Sequence, residues 1–250
     1  MNVPDSLQTI TPLNIALVGY GKMGKAIEEI AIQRGHTILL KIDINTMEQF
    51  TAENLKRCDV AIEFTSPHSA VQNIISCLQA GIPVVSGSTG WLDKWEEVQG
   101  TCESLNGAMV YASNYSVGVN IFFELNKKLA SLMNTYPEYD VSIVEIHHTE
   151  KKDAPSGTAI TLAEQVLESI DQKKQWVSEN GASAEDLVIT SKRIDPAPGT
   201  HKILYSSAID DIEIIHTAHN RKGFATGAVL AAEFIKEKKG IYGMKEVLGL

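Results

Sequence analysis

The chain has 250 residues, a formal net charge of −9 and a hydrophobic fraction of 44%. That length suits one large domain or two of ordinary size, and that hydrophobicity suits a globular protein with a full core. The acidic balance argues against nucleic acid or an anionic membrane surface as the main partner, and no apolar run approaches the roughly 18 residues of a spanning helix.

Residues 1–13, MNVPDSLQTITPL, carry neither a basic n-region nor an apolar h-region, so they read as a loose extension and not as a secretory signal. The apolar run Ile15–Val18 suits a buried parallel strand. It leads into Gly19-Tyr-Gly21-Lys-Met-Gly24, a full G-x-G-x-x-G, and Ala26, Ile27, Ile30 and Ala31 follow at helical spacing until Gly35. A second strand, Thr37–Ile42, ends at Asp43, about twenty residues past the glycine turn. This is the dinucleotide fingerprint in its required context, with Gly19, Gly21, Lys22, Met23 and Gly24 around the pyrophosphate and Asp43 on a ribose diol. Asp43 repels a 2′-phosphate, and Ile44 and Asn45 after it offer no cation, so NADH is favoured over NADPH. Lys22 and Lys41 are the available partners for a phosphate.

The βα alternation continues through a strand at 59–64 and a helix at 66–80 capped by Ser66 with Pro67 first. Strands follow at 82–85 and 109–112, each ending in small residues (Gly87-Ser-Thr-Gly90 and Ser113-Asn-Tyr-Ser116). Such loops leave room for a cofactor across the C-terminal edge of a parallel sheet. Cys58, Cys77 and Cys102 form no C-x-x-C and have no metal-ligand spacing, which predicts reduced thiols in a cytoplasmic protein.

From about residue 120 the pattern changes. A helix over 121–133 precedes YDVSIVEIHH, which alternates like a half-exposed strand, and a strong amphipathic helix runs from Ile160 to Ile170. Strand-like runs recur at 187–194, 201–208 and 212–220, and the last helix, over 227–236, returns to the first domain. The fold class is therefore α/β: an N-terminal Rossmann-type parallel sheet with a second α+β domain on a mixed or antiparallel sheet. The first domain is expected over 14–114 with 221–250, and the substrate-binding and oligomerisation domain over 115–220.

Between strand and helix lies HHTEKKDAPSGTA, residues 147–159. Ser156-Gly157-Thr158 opens the helix, where a cap, free amides and the dipole end suit a carboxylate or phosphate. Lys151 and Lys152 stand just upstream, and the adjacent His147 and His148 should point to opposite faces of their strand. There is no H-E-x-x-H and no nearby cysteine, so no metal is expected; there is also no G-x-S-x-G hydrolase elbow. A proton-transfer site for an anionic substrate beside a hydride donor accounts for the whole cluster. Another NAD(P)-dependent reductase or dehydrogenase of amino or keto dicarboxylates, or a nucleotide sensor without catalysis, remain open on these residues alone.

EIHHTEKKDAPSGTA, from Glu145 to Ala159, resembles the signature of the 4-hydroxy-tetrahydrodipicolinate reductase family, also called dihydrodipicolinate reductase. VGYGKMG, EFTSP at 63–67, GSTG at 87–90, SNYSVGVN at 113–120, RIDPAPGTH at 193–201 and HNRKGFATGA at 219–228 agree in order. The resemblance implies His147 as the catalytic histidine, Lys151 as the proton donor, His148 on the substrate, and Gly157 and Thr158 on one of its carboxylates. It also implies that Gly87, Ser88 and Thr89, with Ala112, Asn114 and Tyr115, line the nicotinamide and its carboxamide. A cyclic dicarboxylate substrate and a homotetramer built through the sheets of the second domain come with it. Two departures bear on the cofactor: the glycine turn is shorter than the family's G-x-x-G-R-M-G form, with Lys22 in place of the arginine, and position 44 is Ile. Thr149 and Glu150 also place a carboxylate beside Lys151 in sequence.

Overall fold

The computed structural model describes residues 11–178 and 183–250, which divide into two compact units: the chain up to Ser116 with Phe224–Gly249, and Val117–Gly223. The extension expected before the first strand lies outside the described residues up to position 10, while Leu13 already belongs to the core at 2% exposure.

The first unit alternates strands and helices: β1 (Asn14–Val18), α1 (Lys22–Gln33), β2 (Thr37–Ile42), α2 (Ala52–Leu55), β3 (Val60–Glu63), α3 (Pro67–Gln79), β4 (Val84–Ser86), α4 (Trp95–Ser104) and β5 (Ala108–Tyr111). The second unit holds α5 (Val117–Met133), β6 (Asp140–His147), α6 (Gly157–Leu167), β7 (Gln175–Ser178), β8 (Asp186–Arg193), β9 (Thr200–Ser206) and β10 (Asp211–Thr217). The chain then returns to the first unit through α7 (Lys222–Ile235), β11 (Gly240–Tyr242) and α8 (Met244–Leu248).

In the first unit six parallel strands lie in the order β2-β1-β3-β4-β5-β11. Strand alternation makes two cores from one sheet: Ile15 and Leu17 of β1 face α1 and α7, whereas Ala16 and Val18 join the cluster under α3 and α4. Strand order reverses between β1 and β3, which opens a crevice at their C-terminal ends.

The second unit is a mixed sheet, β10-β9-β6-β8-β7, antiparallel on the β9 side of β6 and parallel on the β8 side. Helices α5 and α6 pack on one face, against Val141, Ile143, Leu187, Ile189 and Ile203. Along β6 every second residue is buried, and the last two on that inner row are Glu145 and His147.

The sequence places most elements within a few residues. Helix α7 begins five residues before the expected Gly227, because Asn220 Oδ1 accepts from the Lys222 amide at 2.9 Å and offsets the weak helix propensity of two glycines. Helix α5 likewise starts four residues early, at Val117, despite Gly118. Helices α2, α4 and α8 and strands β7 and β11 had no counterpart in the sequence reading; each is short or weakly patterned.

Candidate functional site

At the switch point the glycine turn is a steric necessity. A Cβ on Gly19, whose φ is +98°, would lie 2.1 Å from the Phe64 carbonyl oxygen, and one on Gly24 would lie 2.4 Å from the Gly19 oxygen. A Cβ at Gly21 would meet nothing within 4 Å, so here the backbone is bare toward the crevice. The crevice is a cavity of about 450 Å³ lined by Gly19, Tyr20, Gly21, Asp43, Ile44, Phe64, Thr65 and Ser69. Asp43 keeps one carboxylate oxygen on the Asn45 amide, at 2.7 Å, and leaves Oδ2 without a partner among the described residues. An exposed glycine backbone at a helix start and a ribose-directed carboxylate on one cavity fit a dinucleotide.

Lys41 does not stand ready for a phosphate: its ammonium is 2.6 Å from Glu28, lies over the Tyr20 ring, and Tyr20 donates to the same carboxylate. Ile44 is 91% exposed and Lys22 is exposed. Met23, in the first turn of α1, is partly buried against the core. Of the residues expected around the nicotinamide, Thr89 is exposed and Gly87, Ala112 and Asn114 are half-buried. Ser88 is buried and donates to Glu63 at 2.8 Å. Tyr115 is 2% exposed and donates to the carbonyls of Ser86 and Val110, so its ring is a pin between β4 and β5 and only its backbone can line a ligand.

The second unit gathers a cluster that sequence order hides. Sheet register sets Glu145 opposite His201 on β9, and His147 opposite Arg193 on β8. Directly opposed residues share a face, and so do residues two apart on a strand, so all four project to the α6 side. Glu145 Oε2 pairs with His147 Nδ1; its other oxygen accepts from Arg193 Nη2 at 2.9 Å and from the Ser156 amide at 3.3 Å. Burial alone would raise the Glu145 carboxyl, but hydrogen bonds from His147, Ser191 and Arg193 outweigh it and hold the group well below the usual carboxylate range.

Arg193 also donates through Nε to the Lys151 carbonyl at 3.2 Å and through Nη2 to the Asp153 carbonyl. One guanidinium therefore fixes the buried acid and the backbone on either side of Lys152. Thr149 donates to Asp195 through its amide and hydroxyl, clamping the other end of the loop. Lys151 is bound by Asp153, at 2.8 Å from both carboxylate oxygens, and not by the neighbouring Glu150, which is exposed. Lys152 is exposed.

The expected opposition of the two histidines holds in its consequence: His147, ending β6, is 7% exposed, whereas His148 is half-buried. A Cβ on Gly199 would sit 3.1 Å from His147 Nε2, so glycine there makes room for the ring. Ser156 caps α6, accepting from the Ala159 amide at 3.3 Å, and Gly157 opens onto free space.

Glu145, His147 and His201 place ligand-type atoms within 4.8 Å of one another, a carboxylate-imidazole set of the kind metals use. Here the carboxylate already carries Arg193, His147 and the Ser156 amide, and the guanidinium supplies the positive charge that a cation would. The set behaves as a hydrogen-bonded scaffold that orients His147.

His201 stacks edge-on to His147, with centroids 5.2 Å apart, and its Nε2 lies 3.2 Å from the Ser156 hydroxyl. Burial, followed by the charge of His147, pushes its pKa down from 6.5 to about 4. Because the folded value is depressed, the unfolded chain takes up the proton first. Stability from this group is complete above pH 6.5 and is lost as pH falls toward 4. The loss should be on the order of 2–3 kcal/mol. Glu145 adds to acid sensitivity only below its ordinary value of 4.5. Chemical denaturation between pH 7 and 4.5 checks this: His201→Gln should flatten the slope, and an unchanged slope would count against it.

Comparison with known proteins covers both units. Residues 13–115 match the family description "Dihydrodipicolinate reductase, N-terminus", and residues 118–248 match "Dihydrodipicolinate reductase, C-terminus". The chain is 50% identical over 236 residues to the 4-hydroxy-tetrahydrodipicolinate reductase of Christiangramia forsetii, covering 94% of this chain and 98% of that protein. It is 34% identical over 241 residues to that of Methanosarcina acetivorans, covering 94% and 89%. Among solved structures, the dipicolinate-bound dihydrodipicolinate reductase from Paenisporosarcina sp. TG-14 shares the fold with a TM-score of 0.75 at 23% identity, covering 94% of this chain and 99% of that one.

Proposed function

This chain belongs to the dihydrodipicolinate reductase family and reduces 4-hydroxy-tetrahydrodipicolinate to tetrahydrodipicolinate, with loss of water, in lysine and diaminopimelate biosynthesis; we propose that the nicotinamide cofactor binds unit one and the cyclic dicarboxylate binds the β6–α6 cluster of unit two. The observation that carries this reading is the Glu145–Arg193 scaffold, which holds an oriented imidazole, a lysine loop and a helix start on one sheet face. Bound cofactor supplies the hydride, to the ring carbon conjugated with the imine after the hydroxyl has left as water.

Lys151 then delivers a proton to the electron-rich ring system. Asp153 holds that ammonium until a substrate carboxylate competes for it. Glu145 Oε2 lies against His147 Nδ1 and leaves Nε2 to assist the proton transfer. His148 contacts the substrate, and the α6 start at Gly157 and Thr158 holds one carboxylate. The proposed setting is the cytoplasm, which the three free, buried cysteines suit. The family resemblance extends to a homotetramer through the sheet of unit two.

NADH is the preferred cofactor in this reading. Asp43 leaves a 2′-phosphate facing an acid, and Lys41 beside it is already bound by Glu28. Initial rates with NADH and NADPH side by side test it, and a strong NADPH preference would overturn the Asp43 argument. Ile44→Arg, which adds a guanidinium at a fully accessible position, should raise kcat/KM for NADPH relative to NADH by roughly tenfold to a hundredfold, the value of a charge-assisted hydrogen bond.

A further inference from the structure

Glu63, the last residue of β3, is 0% exposed and forms no ion pair with a cation among the described residues. It is held by donors alone. Oε2 accepts from Ser86 Oγ at 2.7 Å; Oε1 accepts from Ser88 Oγ at 2.8 Å, from the Thr65 amide at 3.0 Å and from the Thr65 hydroxyl. Every group against the two oxygens, three hydroxyls and one amide, can donate to them, and none is a carboxylate or other obligate acceptor. A buried charge without a counter-ion is costly, and a core position gains nothing from it that an apolar side chain would not supply.

Its place in the fold gives the charge a use. The carboxylate sits at the C-terminal edge of β3, beneath the 64–66 and 86–89 loops, and Thr65 and Ser69 of the same hydrogen-bonded network line the crevice beside the glycine turn. Trp91 donates to the Ser88 carbonyl at 2.7 Å and fixes that loop from the far side. We propose that Glu63 is a buried anion that stabilises the oxidised nicotinamide ring over the reduced one, and so stabilises the positive charge that develops as hydride leaves. The inference rests on the reading above that Gly87–Thr89 line the nicotinamide.

The charge balance is simple. Loss of a hydride, one proton with two electrons, takes the ring from neutral to +1, while the substrate carbon gains the hydride and the ring system of the substrate takes its proton from Lys151. A fixed carboxylate already solvated by hydroxyls and an amide needs no reorganisation to meet that charge. Unit charges about 12 Å apart across an effective dielectric near 20 shift the balance on the order of tenfold, and closer charges shift it further.

The test is calorimetric titration of the whole chain with NAD⁺ and with NADH, for the wild type, Glu63→Gln and Ser86→Ala. Glu63→Gln keeps the shape and removes the charge, so the ratio Kd(NAD⁺)/Kd(NADH) should rise about tenfold. Ser86→Ala keeps the charge and removes one donor, so its ratio should stay within about twofold of wild type. An unchanged ratio in Glu63→Gln, or equal weakening of both forms, overturns the proposal. So does a tenfold change of ratio in Ser86→Ala, which is informative even if Glu63→Gln does not fold. Wild-type protein that binds neither form would sink the cofactor assignment and not this inference.

Discussion

Lys151→Ala is expected to lower kcat by roughly 10²–10⁴-fold with saturating cofactor, the range removed with a positioned proton donor. The effect should be chemical. The Lys151 side chain is 24% exposed and its partner Asp153 is 57% exposed, so their pair contributes well under about 1 kcal/mol to stability. Asp153 left alone remains solvated. Cofactor affinity should be unchanged, because every group assigned to the cofactor lies in the other unit. KM for the dicarboxylate should rise as well, since the same ammonium offsets a substrate carboxylate. Lys151→Arg keeps the charge and should recover KM more than kcat, because a guanidinium does not release its proton near neutral pH. Steady-state rates with the three proteins decide it. Near-native turnover in Lys151→Ala would remove Lys151 from the mechanism.

Arg193→Ala is expected to destabilise unit two by about 3 kcal/mol. Removing one partner of a buried pair typically costs about 3–5 kcal/mol because the other charge stays behind. The lower end applies since the Arg193 side chain is 20% exposed while Glu145 is 0% exposed. The carboxylate would keep His147, Ser191 and the Ser156 amide, none of them a fixed cation. The Lys151 and Asp153 carbonyls would lose their donors at the same time, so turnover should fall even in the folded fraction. Adding Glu145→Gln to Arg193→Ala removes the stranded charge and should return much of the stability without returning turnover. Urea denaturation paired with kcat separates the two effects. Equal recovery of both would mean that the scaffold does nothing beyond holding the fold.

The first half of the fold was legible because strand, glycine turn, helix and terminal acid are local in sequence and answer to steric rules. Gly19 and Gly24 are required by contacts within six residues and with the neighbouring strand end. The cluster in the second unit was legible only in part. His147, Lys151 and Ser156-Gly157-Thr158 lie within a dozen residues, so their proton-active and anion-binding character can be read directly. Glu145, Arg193 and His201 come from three strands, and what joins them is register, which hydrophobic alternation alone does not fix across a parallel and an antiparallel neighbour. The available signal was a buried-side position for Glu145 within an alternating strand, where a carboxylate demands a partner. The pairing of Lys41 with Glu28, and of Lys151 with Asp153 in place of Glu150, depends on side-chain reach between elements.

The central claim is direct hydride transfer from a nicotinamide cofactor to the ring of 4-hydroxy-tetrahydrodipicolinate. Its most direct test uses the two NADH forms stereospecifically deuterated at the transferring carbon, with mass analysis of the product. The account predicts that one form passes its deuterium into tetrahydrodipicolinate and the other retains it in the oxidised cofactor. Product free of label from both forms, or cofactor that is never oxidised in the presence of this substrate, would contradict it.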